Sequence, residues 1–209
     1  MIASGDNDAR SLQLPTVRAR RLEMLGKKHI SPLASLVTQA RASQPLPDYV
    51  PSFDPCDGGV TASLLVLLET PGREAIKTGF VSRNNPDETA ENLLKAFDKA
   101  AIPRSQTVIW NAVPWFLGTS TKGRAPSAAD VRQAAPHLSE LLGLLPECRA
   151  VLALGAAAQA ALKPVSSPHG LRVFLFPHPG PRLMRTKPEK FEELIALLGE
   201  IRRFLEHGV

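Results

Sequence analysis

The apolar positions of the chain fall into short continuous runs, and amphipathic segments lie between them. Ala62–Leu68 (ASLLVLL) is too short for a helix and is bounded by turn residues, which predicts a buried strand. Thr107–Trp115 (TVIWNAVPW) predicts a second strand, interrupted by polar Asn111 and ended by Pro114. Ala150–Gly155 (AVLALG) predicts a third, and LRVFLFPHPGPR supplies a fourth with its exit loop. Helices fill the intervals. Pro15–Ala42 reads as two, broken near Gly26 and Pro32. Pro86–Thr89 opens another that runs to about Ala101, with Leu93, Leu94 and Phe97 on one face. Ser127 caps a fourth through Leu145, with Asp130 in the capping-box position. AAAQAALKP is a small-residue helix, and Pro188 opens the last. Glu69–Asn85 reads as a loop. Aliphatic strands alternating with helices predict an α/β fold, a three-layer sandwich around a central, mainly parallel four-stranded sheet.

The 209 residues suit one good-sized domain with an arm. We expect residues 1–45 to form a partly flexible N-terminal helical extension and residues 46–209 to form the main domain. No apolar run approaches the roughly 20 residues that span a bilayer, so no membrane association is expected. The N-terminus lacks the basic-then-apolar pattern of a signal peptide. Cys56 and Cys148 lie far apart and support neither a disulfide framework nor a cysteine metal cluster. A reducing, cytoplasmic setting and a monomer are the expectation. The net charge of +5 is compatible with nucleic acid and equally with solvated helix faces.

Ligands of open α/β sheets bind outside the C-terminal ends of the strands. Three polar residues fall at such ends: Glu69 after the first strand, Asn111 in the last half of the second, and His178 after the fourth. Each has a plain alternative. Glu69 reads equally as a loop residue, Asn111 as a backbone partner at an edge, and His178 as a surface turn residue. Together they favour a shared site. His29, His137, His169 and His207 have no motif around them.

These residues carry a resemblance. L-E-T-P-G (68–72) resembles the G-E-[AG]-P-G first motif of the uracil-DNA glycosylase superfamily, above all its thermophilic iron–sulfur type. T-G-F-V (78–81) is similar to the segment that places an aromatic ring against uracil. W-N-A-V-P (110–114) resembles the strand bearing the uracil-reading Asn. V-L-A-L-G-A-A-A (151–158) is like the strand–helix turn before the last motif, and H-P-G-P-R (178–182) resembles the H-P-S motif with its DNA-inserting loop. The likeness covers roughly residues 57–205. Leu68 stands for the motif's glycine, Gly180 for its serine, and Thr70 where other branches carry an activating Asp. The iron–sulfur members carry four cysteines against two here, so the cluster is expected to be absent. No cofactor and no metal is expected.

The resemblance implies excision of uracil from DNA, with uracil-containing and abasic-site DNA as partners. Releasing uracil leaves negative charge on the base and an oxocarbenium-like sugar, after the base is flipped out of the stack. Asn111 can donate to O4 and accept from N3–H, a pair that cytosine presents reversed. Phe80 would stack on the ring, and His178 would donate to O2. Glu69 would orient the water or stabilise the sugar. Asp57, beside a Gly-Gly turn, is the second candidate for the water, and Asp54 and Asp57 also suit a turn-forming role. Pro71 and Gly72 would offer backbone to the substrate. Arg182 and Leu183 are candidate wedges, with Arg185 and Gly180 at the DNA. Two rivals remain: a nucleoside-type hydrolase on the same fold, and a non-catalytic or very slow binder of uracil-containing or abasic DNA.

Overall fold

The computed structural model describes residues 5–119, 122–163 and 170–208, so His169 lies outside the described residues. In chain order the elements are α1 (Pro15–Glu23), α2 (Ser31–Ala42), β1 (Ser52–Phe53), β2 (Leu64–Leu68), α3 (Arg73–Thr78), β3 (Phe80–Val81) and α4 (Glu88–Lys99). There follow β4 (Thr107–Asn111), α5 (Ala128–Gly143), β5 (Ala150–Leu154), α6 (Ala156–Leu162), β6 (Arg172–Phe176), α7 (Pro181–Thr186) and α8 (Glu189–His207).

The sheet has the order β4-β2-β5-β6, and every neighbouring pair is parallel. Its central strand carries Leu64, Leu65, Val66 and Leu67, all without exposure. Burying a Leu or Val side chain is worth about 1.5–3 kcal/mol, so helices must cover both faces of such a strand. They do: α4 packs with α8 in one layer, and α5 packs with α2 and α6 in the other. The two faces of β4 separate its residues by parity. Trp110 stacks on Phe53 of β1 at 3.6 Å, while Ile109 and Asn111 face a cavity beside α4. Three-layer α/β architecture is therefore what the sequence pattern predicts, with the central sheet entirely parallel.

The capping box of α5 forms as its residues dictate: Ser127 Oγ accepts from the Asp130 backbone N–H, and the Asp130 carboxylate accepts from that of Ser127. The segment 69–85, expected as a loop, contains α3 and β3, and β3 pairs with β1. These elements are one and a half turns and two residues long, too short to show a hydrophobic period.

The N-terminal arm is packed into the domain. Leu12 and Val17 are buried against Phe80, and α2 sends Leu33, Leu36, Val37 and Ala40 into the main core. Arg21, 1% exposed, enters a buried polar cluster.

Candidate active site

The register Leu68↔Asn111 brings the exits of β2 and β4 side by side. Around them lies a cavity of about 600 Å3, lined among others by Pro71, Gly72, Asp87, Asn111, Phe116 and His178. The exit of β2, the exit of β4, the first turn of α4 and the loop after β6 thus meet at one place.

Asn111 is 2% exposed, and its Nδ2 has no hydrogen-bond partner among the described residues. A buried amide left unpaired costs about 1–3 kcal/mol, so this is the kind of group that a ligand satisfies. His178, half-buried, lines the same cavity. Burial lowers its pKa below the ordinary 6.5, against the opposing pull of Glu69 and Asp87. The imidazole is neutral at neutral pH and retains one N–H donor.

The loop carrying His178 is bolted to α4, because Asn92 Nδ2 donates to the Pro179 carbonyl at 3.0 Å. Gly180 permits this closeness: a Cβ there would come within 3.0 Å of His178 Nδ1. The serine of the resembled motif is absent where its side chain would crowd the imidazole.

Glu69 does not line the cavity. Its Oε1 accepts from the Ala157 backbone N–H at 2.9 Å, at the first turn of α6. Gly155, with φ of +99°, makes the fit possible, since a Cβ there would lie 2.6 Å from the Glu69 carboxyl carbon. The sheet order changes direction between β2 and β5, where such folds often hold a ligand. Here the protein's own carboxylate fills that crevice. Glu69 Oε1 thus ties the exit of β2 to the first turn of α6, while its charge still reaches His178.

Asp57 is a correction. Gly58 N–H donates to the Thr107 carbonyl, which puts this loop at the start of β4. At about 3.3 Å per residue, that is roughly 13 Å from Asn111 along the strand. The Asp57 carboxyl is 3% exposed and held by charge, with Arg104 Nε at 2.7 Å and Arg83 Nη2 at 3.8 Å. Neither contact has hydrogen-bond alignment, and both carboxyl oxygens lack an aligned partner. Burial pushes the Asp57 pKa up, against the two arginines. Asp54 is its counterpart: burial pushes it up too, but Arg104 and Arg21 outweigh that and hold it at about 2. Arg21 and Ser82 both donate to Asp54, and Arg21 also donates to Asn84. Both DPCDGG aspartates thus sit in an arginine cluster away from the cavity.

Phe80 is the second correction. It is fully buried among Leu12, Val17 and Leu25, and the next residues, Val81 and Ser82, line the cavity instead. Strand alternation turns Phe80 away. The aromatic ring at the cavity is Phe116, 8% exposed, with Tyr49 edge-on at 5.4 Å. It follows β4 beyond the quoted motif, so nothing in the sequence singled it out. Asp87 also lines the cavity, although in the sequence P-D-E-T reads only as a helix start.

The expected DNA-contacting residues stand at the rim. Arg182 is exposed and Leu183 half-buried on α7. Arg185 is exposed and ion-paired with Glu88. Among the described residues, no group of three or more His, Cys, Asp or Glu side chains is placed to hold a metal ion. The cysteines do not fit an iron–sulfur cluster. Cys148 is buried, donating to the Ala150 carbonyl, and burial with the Asp54 charge pushes the Cys56 thiol up to about 11. No helix among the described residues is long and apolar enough to cross a membrane.

Residues 56–199 match a family model described as the uracil DNA glycosylase superfamily. The matched span contains Asn111, His178 and Asp87 and leaves out α1 and α2. No curated protein matches the chain.

Proposed function

The chain belongs to the uracil DNA glycosylase superfamily, and we propose that it removes uracil from DNA by hydrolysing the N-glycosidic bond, leaving an abasic site. Membership assigns it to the DNA glycosylase hydrolases of repair; uracil as the base is our reading of the pocket.

The observation that carries it is the unpaired Asn111 amide at the cavity wall. A flipped uracil can meet it with O4 and N3–H, whereas cytosine offers the reverse pattern. A base-specific pair of this type discriminates by about 1–3 kcal/mol. Phe116 stands nearby to stack on the ring, a contact worth about 1–3 kcal/mol. His178, neutral and half-buried, donates to O2 as charge gathers there. A fixed donor to a developing anion contributes a factor of about 10²–10³ in rate. Pro71 and Gly72 line the pocket, and Arg182 and Leu183, on α7 next to pocket-lining Pro181, are the wedge in this reading.

One observation favours a second reading. The cavity wall carries Arg10, Arg73 and Arg124 but also Glu74, Asp87 and Glu88, so its charges balance and it is no strong phosphate trap. A pocket of that kind also suits a free nucleoside.

The test is incubation with a single-uracil oligonucleotide in EDTA, followed by alkali and a gel, beside free deoxyuridine. Strand scission with deoxyuridine untouched supports the glycosylase. An intact oligonucleotide with hydrolysed deoxyuridine establishes the second reading, and no reaction with either leaves a binder.

A further inference from the structure

We propose that Asp87 takes the proton from the water that attacks the sugar, an inference that rests on the glycosylase reading above. The resemblance implies a role for Glu69, and the Gly-Gly turn makes Asp57 the second candidate for the water; neither lines the cavity. Glu69 Oε1 accepts from the Ala157 N–H at the start of α6, and Asp57 lies at the far end of β4. Three carboxylates line the cavity: Glu74, Asp87 and Glu88. Glu74 is ion-paired with Lys77 at 2.6 Å and Glu88 with Arg185. Asp87 has no cationic side chain within ion-pair distance among the described residues.

Its position is fixed from two sides. As N-cap of α4, its side chain accepts from the Ala90 backbone N–H at 3.0 Å. With the Thr89 N–H also directed at it, the carboxylate uses at most two of about four acceptor sites, so capacity remains toward the cavity. The Asn92–Pro179 bond then holds the His178 loop against the same helix. Gly180 completes the junction, lying between His178 and Thr89 of the first α4 turn. Asp87 and His178 are thereby placed on adjoining walls of one cavity.

Burial makes Asp87 a stronger base than an ordinary aspartate. It raises the pKa against the backbone N–H groups of Ala90 and Thr89; Glu74 on α3 adds to the rise, and His178 opposes it. A general base works best when its pKa lies closer to the working pH.

The step balances as follows. The water oxygen bonds to C1′ while the bond from C1′ to the base nitrogen breaks. The electron pair of that bond leaves with the uracil, where the His178 donor meets the charge at O2. The water's proton passes to Asp87, which later releases it to solvent, and the uracil anion takes up a proton from solvent.

Asp87→Asn separates chemistry from capping, because Asn caps a helix as well as Asp does but cannot accept the proton. Single-turnover uracil release, affinity for abasic DNA and melting temperature are measured for wild type, Asp87→Asn and Asp87→Ala. We expect Asp87→Asn to release uracil about a hundredfold or more slowly, with abasic-DNA affinity and melting temperature unchanged. The wild-type rate is expected to fall as the pH drops through the raised Asp87 pKa, and the Asn variant to lose that acid limb. Asp87→Ala is expected to lose both the rate and part of the melting temperature. A wild-type rate in Asp87→Asn, or a loss shared equally by rate and affinity, overturns the proposal and leaves Asp87 a cap. If wild type itself releases no uracil, the glycosylase reading fails and takes this inference with it.

Discussion

The two ends of β4 hold two collections of buried polar groups that differ in kind. At the start of the strand, Asp54 and Asp57 are surrounded by Arg21, Arg83 and Arg104, and charge answers charge. At its end, Asn111 is as deeply buried and its Nδ2 has no partner, while His178 and Asp87 face open volume. Burial and pKa shifts alone do not separate the two, because Asp57 is displaced upward just as Asp87 is. The difference lies in what remains unpaired beside a cavity. The Asp57 oxygens and the Arg83 and Arg104 Nε atoms also lack aligned partners, but opposite charges surround them and they do not line the cavity. Among the described residues, Asn111 Nδ2 has neither a partner nor a countercharge and stands at the cavity.

The largest expected effect breaks the first region. Arg21→Ala leaves the Asp54 charge buried with one partner fewer, and removing one member of a buried ion pair costs about 3–5 kcal/mol. Chemical denaturation of the variant against wild type measures it; a loss below about 1 kcal/mol would make the cluster incidental. The same region carries an acid dependence. Asp54 is held down at about 2 against an ordinary 3.8. Its stabilisation is complete above the ordinary value and is lost as the pH falls through about 2. Asp54→Asn is expected to remove that dependence from an acid titration of stability, along with part of the stability itself.

The next effect breaks the second region. His178→Ala is expected to slow single-turnover uracil release by about 10²–10³, with abasic-DNA affinity little changed. A parallel loss of affinity would make His178 a positioning group. Glu69→Gln sharpens the boundary between the regions. It keeps an oxygen for the Ala157 N–H, so we expect less than about tenfold change in rate and a stability loss smaller than the roughly 0.5–2 kcal/mol of a lost helix cap. A loss in rate as large as that of His178→Ala would return Glu69 to the chemistry. Smallest is the rim. Arg182→Ala is expected to lower the slope of binding against salt by about 0.9 if Arg182 neutralises one duplex phosphate. An unchanged slope places Arg182 away from the backbone.

The layer architecture was legible because each strand is a solid aliphatic run and each long helix carries a capping or periodic signal. Asn111 and His178 were legible for a related reason: a polar residue at the C-terminal end of such a run has few structural explanations. Glu69 sits at an equally exceptional position, yet its structural explanation, the first turn of α6, depends on Gly155 some ninety residues later. The side to which Phe80 turns is not legible in the sequence, because only the packing of Leu12 and Val17, from a segment outside the matched span, shows which face of β3 is covered. Asp87 was hidden behind its own capping role. Local pattern reports the cap, and only the fold shows that the capped helix starts at the cavity.

The central claim is that the unpaired Asn111 amide reads uracil in this cavity. Its most direct test is single-turnover excision from matched oligonucleotides carrying uracil or cytosine at one position, with wild type and Asn111→Ala at saturating protein. The account predicts that wild type cuts only the uracil strand and that Asn111→Ala loses most of that rate while still binding abasic DNA. Wild-type uracil excision by Asn111→Ala would contradict it.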